Sequence, residues 1–450
     1  ADGIRETKSG LVGSEMCIRD RPRTPCSRPN GVSRRGFLAG AAAVGGVIVL
    51  PSGTKLAFAD PSEPLKGDVL VYLFLRGGAD GLSIVPPVGL PSYYDLRIDG
   101  GFDIAVDQAD ALSLGSLGAT HPDLALHPAM APLLPWWNAG QMAIVHAVGS
   151  PASLSRTRSH FEAEEVWERC GIQQATATGW IGRHLSTSTD VTGNLAGISH
   201  EQRIWSAMQG YSKSLAISNI NNFDIFGYDD RASARGLLEA LHSGGGLVEA
   251  EGQDTLDAVN TIDAIDFSAI TPQNGAVYAN NNSLARELRQ IAQLIRANVG
   301  LRAVSVDLGG WDTHNDMGTP VPGQLMYDRI SRLAVGIEPF LVDMGTDMDE
   351  VTLMVLSEFG RTINVNGNGG TDHGRGGAMF VLGRGINGGV YGQFPDVIED
   401  GPEGDLAVLN DFRQVYAEII DRRLGNAANI PFVLNGYDPG GTYLGLAQPS

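Results

Sequence analysis

Several short segments of this chain set carboxylates beside imidazoles. DLGGWDTHND carries Asp307, Asp312, His314 and Asp316 within ten residues, GTDHGRGG carries Asp372, His373 and Arg375, SEFGRT carries Glu358 and Arg361, and RGGADG carries Arg76 and Asp80. Carboxylate oxygens and imidazole nitrogens are the usual ligands of Zn²⁺, Mn²⁺ and related divalent ions, so Asp80, Asp312, His314, Glu358, Asp372 and His373 are candidate metal ligands. A further segment, GSPASLSRTRSHFEAEEVW, places Ser159 and His160 at or near a predicted helix start, where free backbone amides favour an anion. Ser159 is a candidate nucleophile with His160 and Arg361 as catalytic partners. Arg76, Arg156 and Arg375, with Arg361, fall in the same turns and could clamp a tetrahedral anion bidentately.

Each residue also has a plain structural role open to it. A single Asp after a strand commonly caps a helix or closes an Asx-turn, and Ser159 can cap its helix in the same way. His127 and His146 are read as satisfying hydrogen bonds in the core.

The elements that must position these groups are legible as hydrophobic patterns. Residues 68–75, DVLVYLFL, form a nearly continuous apolar run, the signature of a strand buried on both faces of a parallel sheet. Similar runs occupy 142–148, 301–308, 351–357 and 378–382, each leading to a polar, Gly-rich turn. Leu284, Leu288, Ile291 and Ile295 share one helical face behind a Ser283 cap, Ile330, Leu333, Ile337 and Leu341 share another, and a third helix is expected over 412–424. Strands alternating with helices predict a layered α/β fold, a mostly parallel central sheet with helices on both faces. Residues 172–275, rich in Ser, Asn, Gly and Asp, break the alternation and are read as a loop-rich cap inserted over the sheet's edge. Trp180, Trp205, Tyr211, Phe223, Phe226 and Tyr228 argue that this cap is ordered. In open α/β sheets ligands sit beyond the carboxyl ends of the strands, which is where the polar segments fall.

Composition bounds the function. Asp and Glu total 51 against 32 Lys and Arg, a net charge of -19, and no basic run follows the N-terminal region, so the phosphate-backbone footprint of a nucleic-acid binder is absent. With 59 Gly and only 18% charged residues, the body of the chain reads as a loop-rich enzyme rather than a coiled coil or solenoid.

The first sixty residues concern export. Arg34 and Arg35, an apolar stretch from Leu38 to Leu50 and the Ala57-Phe58-Ala59 triplet form a twin-arginine signal over residues 26–59. About 13 apolar residues are too few for a membrane-spanning helix, which needs ~20, so no stable anchor is expected. The mature chain is expected to begin near Asp60. Removing residues 1–59 takes away nine Lys or Arg and four Asp or Glu, leaving 23 against 47, or -24. Upstream, SGLVGSEMCIRDR resembles a translated sequencing adaptor, and residues 1–25 are read as a gene-model artefact. Cys17 falls there and Cys26 falls in the signal, so Cys170 is alone in the mature chain and no intramolecular disulfide can form. The twin-arginine translocase carries folded proteins, often with a metal or cofactor already loaded. The expected location is periplasmic or secreted.

LFLRGGADGLS, TRSHFEAEE, GWIGRHL, DLGGWDTHND, LSEFGRT, GTDHGRGG and DFRQVYAEII together resemble the exported bacterial family called domain of unknown function 1501, from the signal to about residue 425. That family is grouped with the alkaline phosphatase and sulfatase superfamily. The resemblance implies a metal site at the rim of a parallel sheet, with Asp80 as the carboxylate after the first strand, Ser159 as nucleophile, Asp312 and His314 as ligands, and Asp372 with His373 as the late ligand turn. Two departures stand out. Glu358 and Phe359 replace the superfamily's Asp-His pair, and Asp312-Thr313-His314 replaces an Asp-x-x-x-His spacing, so one metal is expected rather than two.

The cation expected is Zn²⁺, with Mg²⁺, Mn²⁺ or Ca²⁺ as alternatives. A formylglycine sulfatase needs a Cys/Ser-x-Pro-x-Arg setting, which the segment around Ser159 lacks, whereas a phosphatase needs a metal and a cationic clamp. The expected activity is therefore hydrolysis of a small-molecule phosphate ester, with sulfate esters second. The alternative is a non-catalytic exported binding or assembly protein that keeps the fold.

Overall fold

The computed structural model describes residues 68–449, apart from 116–120, 122–123, 173–176, 190, 192, 194, 224–230, 245 and 396–403. The expected signal peptide, the segment 1–25, Cys17, Cys26, Phe226 and Tyr228 lie outside the described residues.

A nine-stranded sheet runs through the molecule. Its strands are β1 (Val69–Arg76), β2 (Met142–Gly149), β3 (Gly197–Ser199), β4 (Ser214–Ala216), β5 (Ala303–Gly309), β6 (Val351–Leu356), β7 (Gly377–Leu382), β8 (Gly389–Tyr391) and β9 (Asn410–Asp411). The order is β8-β2-β7-β6-β1-β5-β3-β4, with β9 beside β2. Every pairing is parallel except the two made by β7, which runs against both β6 and β2. The mostly parallel sheet expected from the apolar runs is present, with one reversed strand inside it.

Strand alternation divides β1 between two cores. Val69, Val71, Leu73 and Leu75 face one layer, and Leu70, Tyr72 and Phe74 face the other. Helices cover both faces. Among them, in chain order, are α1 (Gly81–Ile84), α2 (Pro91–Arg97), α3 (His160–Arg169), α4 (Trp180–Thr187), α5 (Arg231–Leu241), α6 (Leu247–Asp263), α7 (Ser283–Arg296), α8 (Leu325–Met344) and α9 (Phe412–Arg422), besides two short helices at Leu134–Asn138 and Ile430–Val433. The apolar stripes of α7 and α8 pack on the first face, while Trp167 of α3, Trp180 of α4 and Phe412 and Tyr416 of α9 pack on the second. Asn282, not Ser283, caps α7, its side chain accepting from the Ala285 amide at 3.2 Å. Ser283 is the first helical residue and accepts from Arg332 instead.

The region 172–275 is not simply a cap. β3 and β4 lie within it and extend the central sheet in parallel beyond β5, and Trp180 is fully buried in the second core. Only α5 and α6 stand outside the strand pattern, and α6 anchors itself through buried Leu256, Val259 and Ile262. A Ser- and Gly-rich composition concealed short edge strands of three residues, too brief to show alternation.

The reversal of β7 has a direct consequence for the rim. β1, β5 and β6 end side by side, with Arg76 opposite Gly309 and Phe74 opposite Leu356. Because β7 runs the other way, the residues before it, 371–376, lie at this same end, and so does the segment that leaves β2 at Gly149.

Tyr72 and Tyr416 meet in the second core through their hydroxyls, 2.8 Å apart, and both are fully buried. Tyr416→Phe is expected to lower unfolding stability by about 1–3 kcal/mol, because it leaves the Tyr72 hydroxyl without a partner. Adding Tyr72→Phe should restore most of that loss. Chemical denaturation of the two single variants and the double variant measures the coupling, and additive losses would show that the pair is not linked.

Candidate metal centre

Four turns build the rim: 77–80 after β1, 310–316 after β5, 357–361 after β6 and 371–375 before β7. They approach one another because glycines remove the atoms that would keep them apart. A Cβ on Gly77, whose φ is +122°, would lie 2.5 Å from the Asp312 amide nitrogen, and one on Gly370 would lie 2.2 Å from the His314 carbonyl carbon. Arg361 then ties the turns together. Its guanidinium is fully buried and donates to the carbonyls of Gly78 at 2.7 Å, Thr371 at 3.0 Å and Trp311 at 3.0 Å, to that of Gly77, and to Asp312 Oδ1 at 2.6 Å.

Asp312 Oδ1 is the point of convergence. His314 Nε2 lies 3.0 Å from it, His373 Nε2 3.2 Å and His160 Nε2 3.5 Å, and the two nitrogens of His314 and His373 are 2.9 Å apart. His160 arrives as the first residue of α3, next to Phe359, whose ring packs against both His160 and His373. Each imidazole is held from behind through Nδ1: His160 by Glu358 Oε1 at 2.7 Å, His314 by Asp372 Oδ1 at 2.8 Å and His373 by the Arg158 carbonyl at 2.8 Å.

The charge states follow from these contacts. Burial pushes the Asp312 carboxyl up, but the hydrogen bond from Arg361 and the positive charge of its guanidinium outweigh it and hold the group at about 2. Glu358 is likewise below its ordinary range, burial being outweighed by the bonds from His160, Ser357 and the Gly77 amide. The bond to Glu358 raises His160, and burial lowers His373.

This donor set fits a divalent cation. His160, Asp312 and His373 offer ligand atoms that all lie within 4.8 Å of one another, with His314 alongside. For ligand bonds of ~2.0–2.2 Å, tetrahedral donors sit ~3.3–3.6 Å apart, close to the separations from Asp312. His160 Nε2 is buried with no hydrogen-bond partner. A lone pair on this nitrogen, facing the Asp312 carboxylate at 3.5 Å, is balanced only where a proton or a cation lies between them. The side is open: the Asp312 side chain is 49% exposed and that of Asp372 59%.

Other candidates fall elsewhere. Asp80 caps α1 and spends both oxygens on Arg97, at 2.6 and 2.9 Å, and on Ser83 and the Leu82 amide. It is a buried ion-pair partner and does not join the cluster. Glu358 sits behind His160 rather than beside Asp312, and Asp372 behind His314, so their carboxylates hold the candidate ligand rings instead of joining them. Arg76 is committed to Asp307 at 3.0 Å, to Glu168 and to Glu164, and its guanidinium lies over Phe74 and Trp205. It has no freedom to clamp an anion. Its partner Asp307, raised to about 7 by burial, gives both oxygens to Arg76, at 3.0 and 3.1 Å, and is not among the converging residues. Asp316 is exposed and turns the chain with a φ of +48°. Arg156 is exposed, and Arg375 reaches the Ser150 carbonyl at 3.3 Å. Ser159 occupies the helix start as expected but makes no side-chain cap, and among the described residues no hydrogen bond to its exposed hydroxyl is found. His127 and His146 are buried and hydrogen-bonded to the backbone, as read from the sequence.

Residues not singled out in the sequence complete the rim. Arg97 neutralises Asp80, Ser357 bonds Glu358 Oε2 at 2.8 Å and the Ala79 amide at 2.8 Å, and Arg158 contributes a carbonyl. Ser357, directly before Glu358 at a strand end, was the one visible signal. A cleft of about 610 Å³ runs along α3, lined by Phe161, Glu164, Glu168, Arg169, Arg203 and Trp205, and includes none of the four converging residues.

Fold and rim together define an α/β protein with a histidine–aspartate cluster at the carboxyl ends of its strands. The family model described as "Protein of unknown function (DUF1501)" matches residues 252–412. The match contains Asp312, His314, Glu358, Arg361, Asp372 and His373, whereas His160 precedes it. No curated protein matches the sequence. Among solved structures, Ps i-CgsB in complex with k-i-k-neocarrahexaose aligns over 85% of this chain and 75% of its own, at 8% identity and a TM-score of 0.33. The alkaline phosphatase of the Antarctic bacterium TAB5 aligns over 84% of this chain and 100% of its own, at 11% identity and a TM-score of 0.31. Likenesses of this size say nothing about substrate.

Asp80→Asn is expected to cost about 3–5 kcal/mol of stability by leaving Arg97 as an uncompensated buried charge, with metal content of the folded protein unchanged. Arg97 holds Asp80 below its ordinary range against the effect of burial. Its stabilising contribution is therefore present above pH ~4 and lost as pH falls through the lowered folded value. Thermal melts with metal analysis check this, and metal loss at unchanged stability would make Asp80 a ligand.

Proposed function

We propose that this protein is a metal-dependent hydrolase of phosphate esters, with sulfate esters as the second substrate class, exported by the twin-arginine route and acting in the periplasm or outside the cell. The observation that carries the reading is the convergence of three imidazole Nε2 atoms on one oxygen of Asp312, each ring already held through Nδ1. His160, Asp312 and His373 would hold the cation, with His314 as a further ligand. Three nitrogens and one carboxylate suit Zn²⁺ better than Mg²⁺ or Ca²⁺, which take oxygen. Bound there, a divalent cation supplies Lewis acidity toward a phosphoryl oxygen and lowers the pKa of a neighbouring hydroxyl.

The chain's own residues then have defined tasks. Asp312, kept ionised by Arg361, fixes the charge of the cluster. Ser159 presents an exposed hydroxyl one residue before His160, where the first amides of α3 are unpaired and favour an anion. Arg156 and Arg375 are the cations available to a substrate anion. Among the described residues no helix is long and apolar enough to cross a membrane.

A second reading, an exported metal-binding protein without catalysis, is favoured by a specific observation. Arg76 and Arg361, two of the cations a phosphoryl clamp would use, are spent inside the fold.

The two readings separate by experiment. Protein purified without chelator should contain about one equivalent of a transition metal by elemental analysis and hydrolyse nitrophenyl phosphate. His373→Ala should remove most of the metal and lower kcat/KM by at least ~100-fold. Metal without turnover of phosphate or sulfate esters supports the binding protein, and a wild type that takes up no metal overturns the hydrolase.

A further inference from the structure

We infer that Glu358 and Asp372 are positioning residues that set the tautomers of His160 and His314, and that Glu358 also couples His160 to the turn after β1. The inference rests on the metal reading above and assigns the carboxylates that the sequence marks as ligands to a different task.

An ionised carboxylate only accepts, so the neutral His160 ring, whose Nε2 has no hydrogen-bond partner, carries its proton on Nδ1 facing Glu358 Oε1 at 2.7 Å. His314 lies between two carboxylates, Asp372 Oδ1 at 2.8 Å from Nδ1 and Asp312 Oδ1 at 3.0 Å from Nε2, and its proton goes to the shorter contact. The Nε2 lone pairs are then bare, and both face Asp312. A backbone carbonyl, that of Arg158, does the same for His373 at 2.8 Å. Carboxylates behind metal-bound imidazoles fix the ring and raise its basicity.

The two carboxylates differ in setting. Glu358 is fully buried, and its acceptor positions are taken: Oε1 by His160 and by the Gly77 amide at 2.8 Å, and Oε2 by Ser357 Oγ at 2.8 Å. It is therefore a joint between the first ligand and the glycine turn of β1. Asp372 is 59% exposed, and beyond His314 its Oδ1 accepts only from Asn366 Nδ2 at 3.2 Å. A charge in the low-dielectric interior acts more strongly than one in water, so removing the charge of Glu358 should matter more.

The test uses the full protein and Zn²⁺ alone. Competition against a chromophoric chelator should give Glu358→Gln an affinity ~10–100-fold weaker than wild type, with an unchanged circular dichroism spectrum, and Asp372→Ala a smaller loss. Nitrogen NMR of histidine-labelled, metal-free protein at about pH 8.5, above the ordinary histidine range, should show His160 and His314 as Nδ1–H. In Asp372→Ala, which alters an exposed side chain, His314 should turn to Nε2–H and donate to Asp312. Zn²⁺ affinities within twofold of wild type in both variants would overturn the inference, as would an Nε2–H His314 in wild type. If wild type takes up no Zn²⁺, the metal reading falls, and the tautomers alone decide whether these carboxylates orient the rings.

Discussion

The rim of this protein depends on one buried guanidinium. Arg361 has donors in a rigid planar fork, and the fold gives them carbonyls from the turn after β1, the turn after β5 and the turn before β7, together with one oxygen of Asp312. Turns have few backbone partners of their own, and carbonyls left bare in the interior are costly. A single arginine therefore satisfies three chain segments at once and leaves its positive charge against the carboxylate on which the histidines converge. The side chain that reads as a substrate clamp in the sequence is a structural tie, because its donors are consumed before any ligand arrives.

The same logic separates the other charges of the rim. Asp80 with Arg97, and Arg76 with Asp307, Glu168 and Glu164, are paired ions in places where burial makes an unpaired charge prohibitive. What remains is chemically distinctive: the Nε2 atom of His160 is buried with no hydrogen-bond partner, and those of His314 and His373 have only each other and the one oxygen of Asp312. Protein interiors rarely leave such atoms idle. The distinction between candidate ligands and structural charges is thus made by partners, since Asp80 and Asp312 look alike as residues after strands.

Packing explains why the rim can be so dense. The odd and even residues of β1 serve separate cores, so the strand is locked on both faces and its end is fixed to within the register of β5 and β6. Gly77, Gly78 and Gly370 then permit contacts that a single Cβ would forbid. Phe359, which takes the place of an expected ligand, packs its ring against His160 and His373 and fills the space beneath them.

By itself the sequence determined the five apolar strand runs, the helical faces of Leu284 to Ile295 and Ile330 to Leu341, a helix beginning at 412, and the residue types able to hold a cation, because periodicity and side-chain chemistry are local properties. His314 and His373, 59 positions apart, and His160, more than 150 positions from either, could be marked as candidates but not joined. The tertiary structure decided which of them meet. It did so through the reversal of β7, which carries Asp372 and His373 to the carboxyl rim, and through the short strands β3 and β4, whose three residues hold too little pattern to be read. It also decided which charges are spent, since whether a carboxylate faces an arginine, as Asp80 does, or an imidazole, as Asp312 does, is a matter of distance across the fold and of which group loses its water.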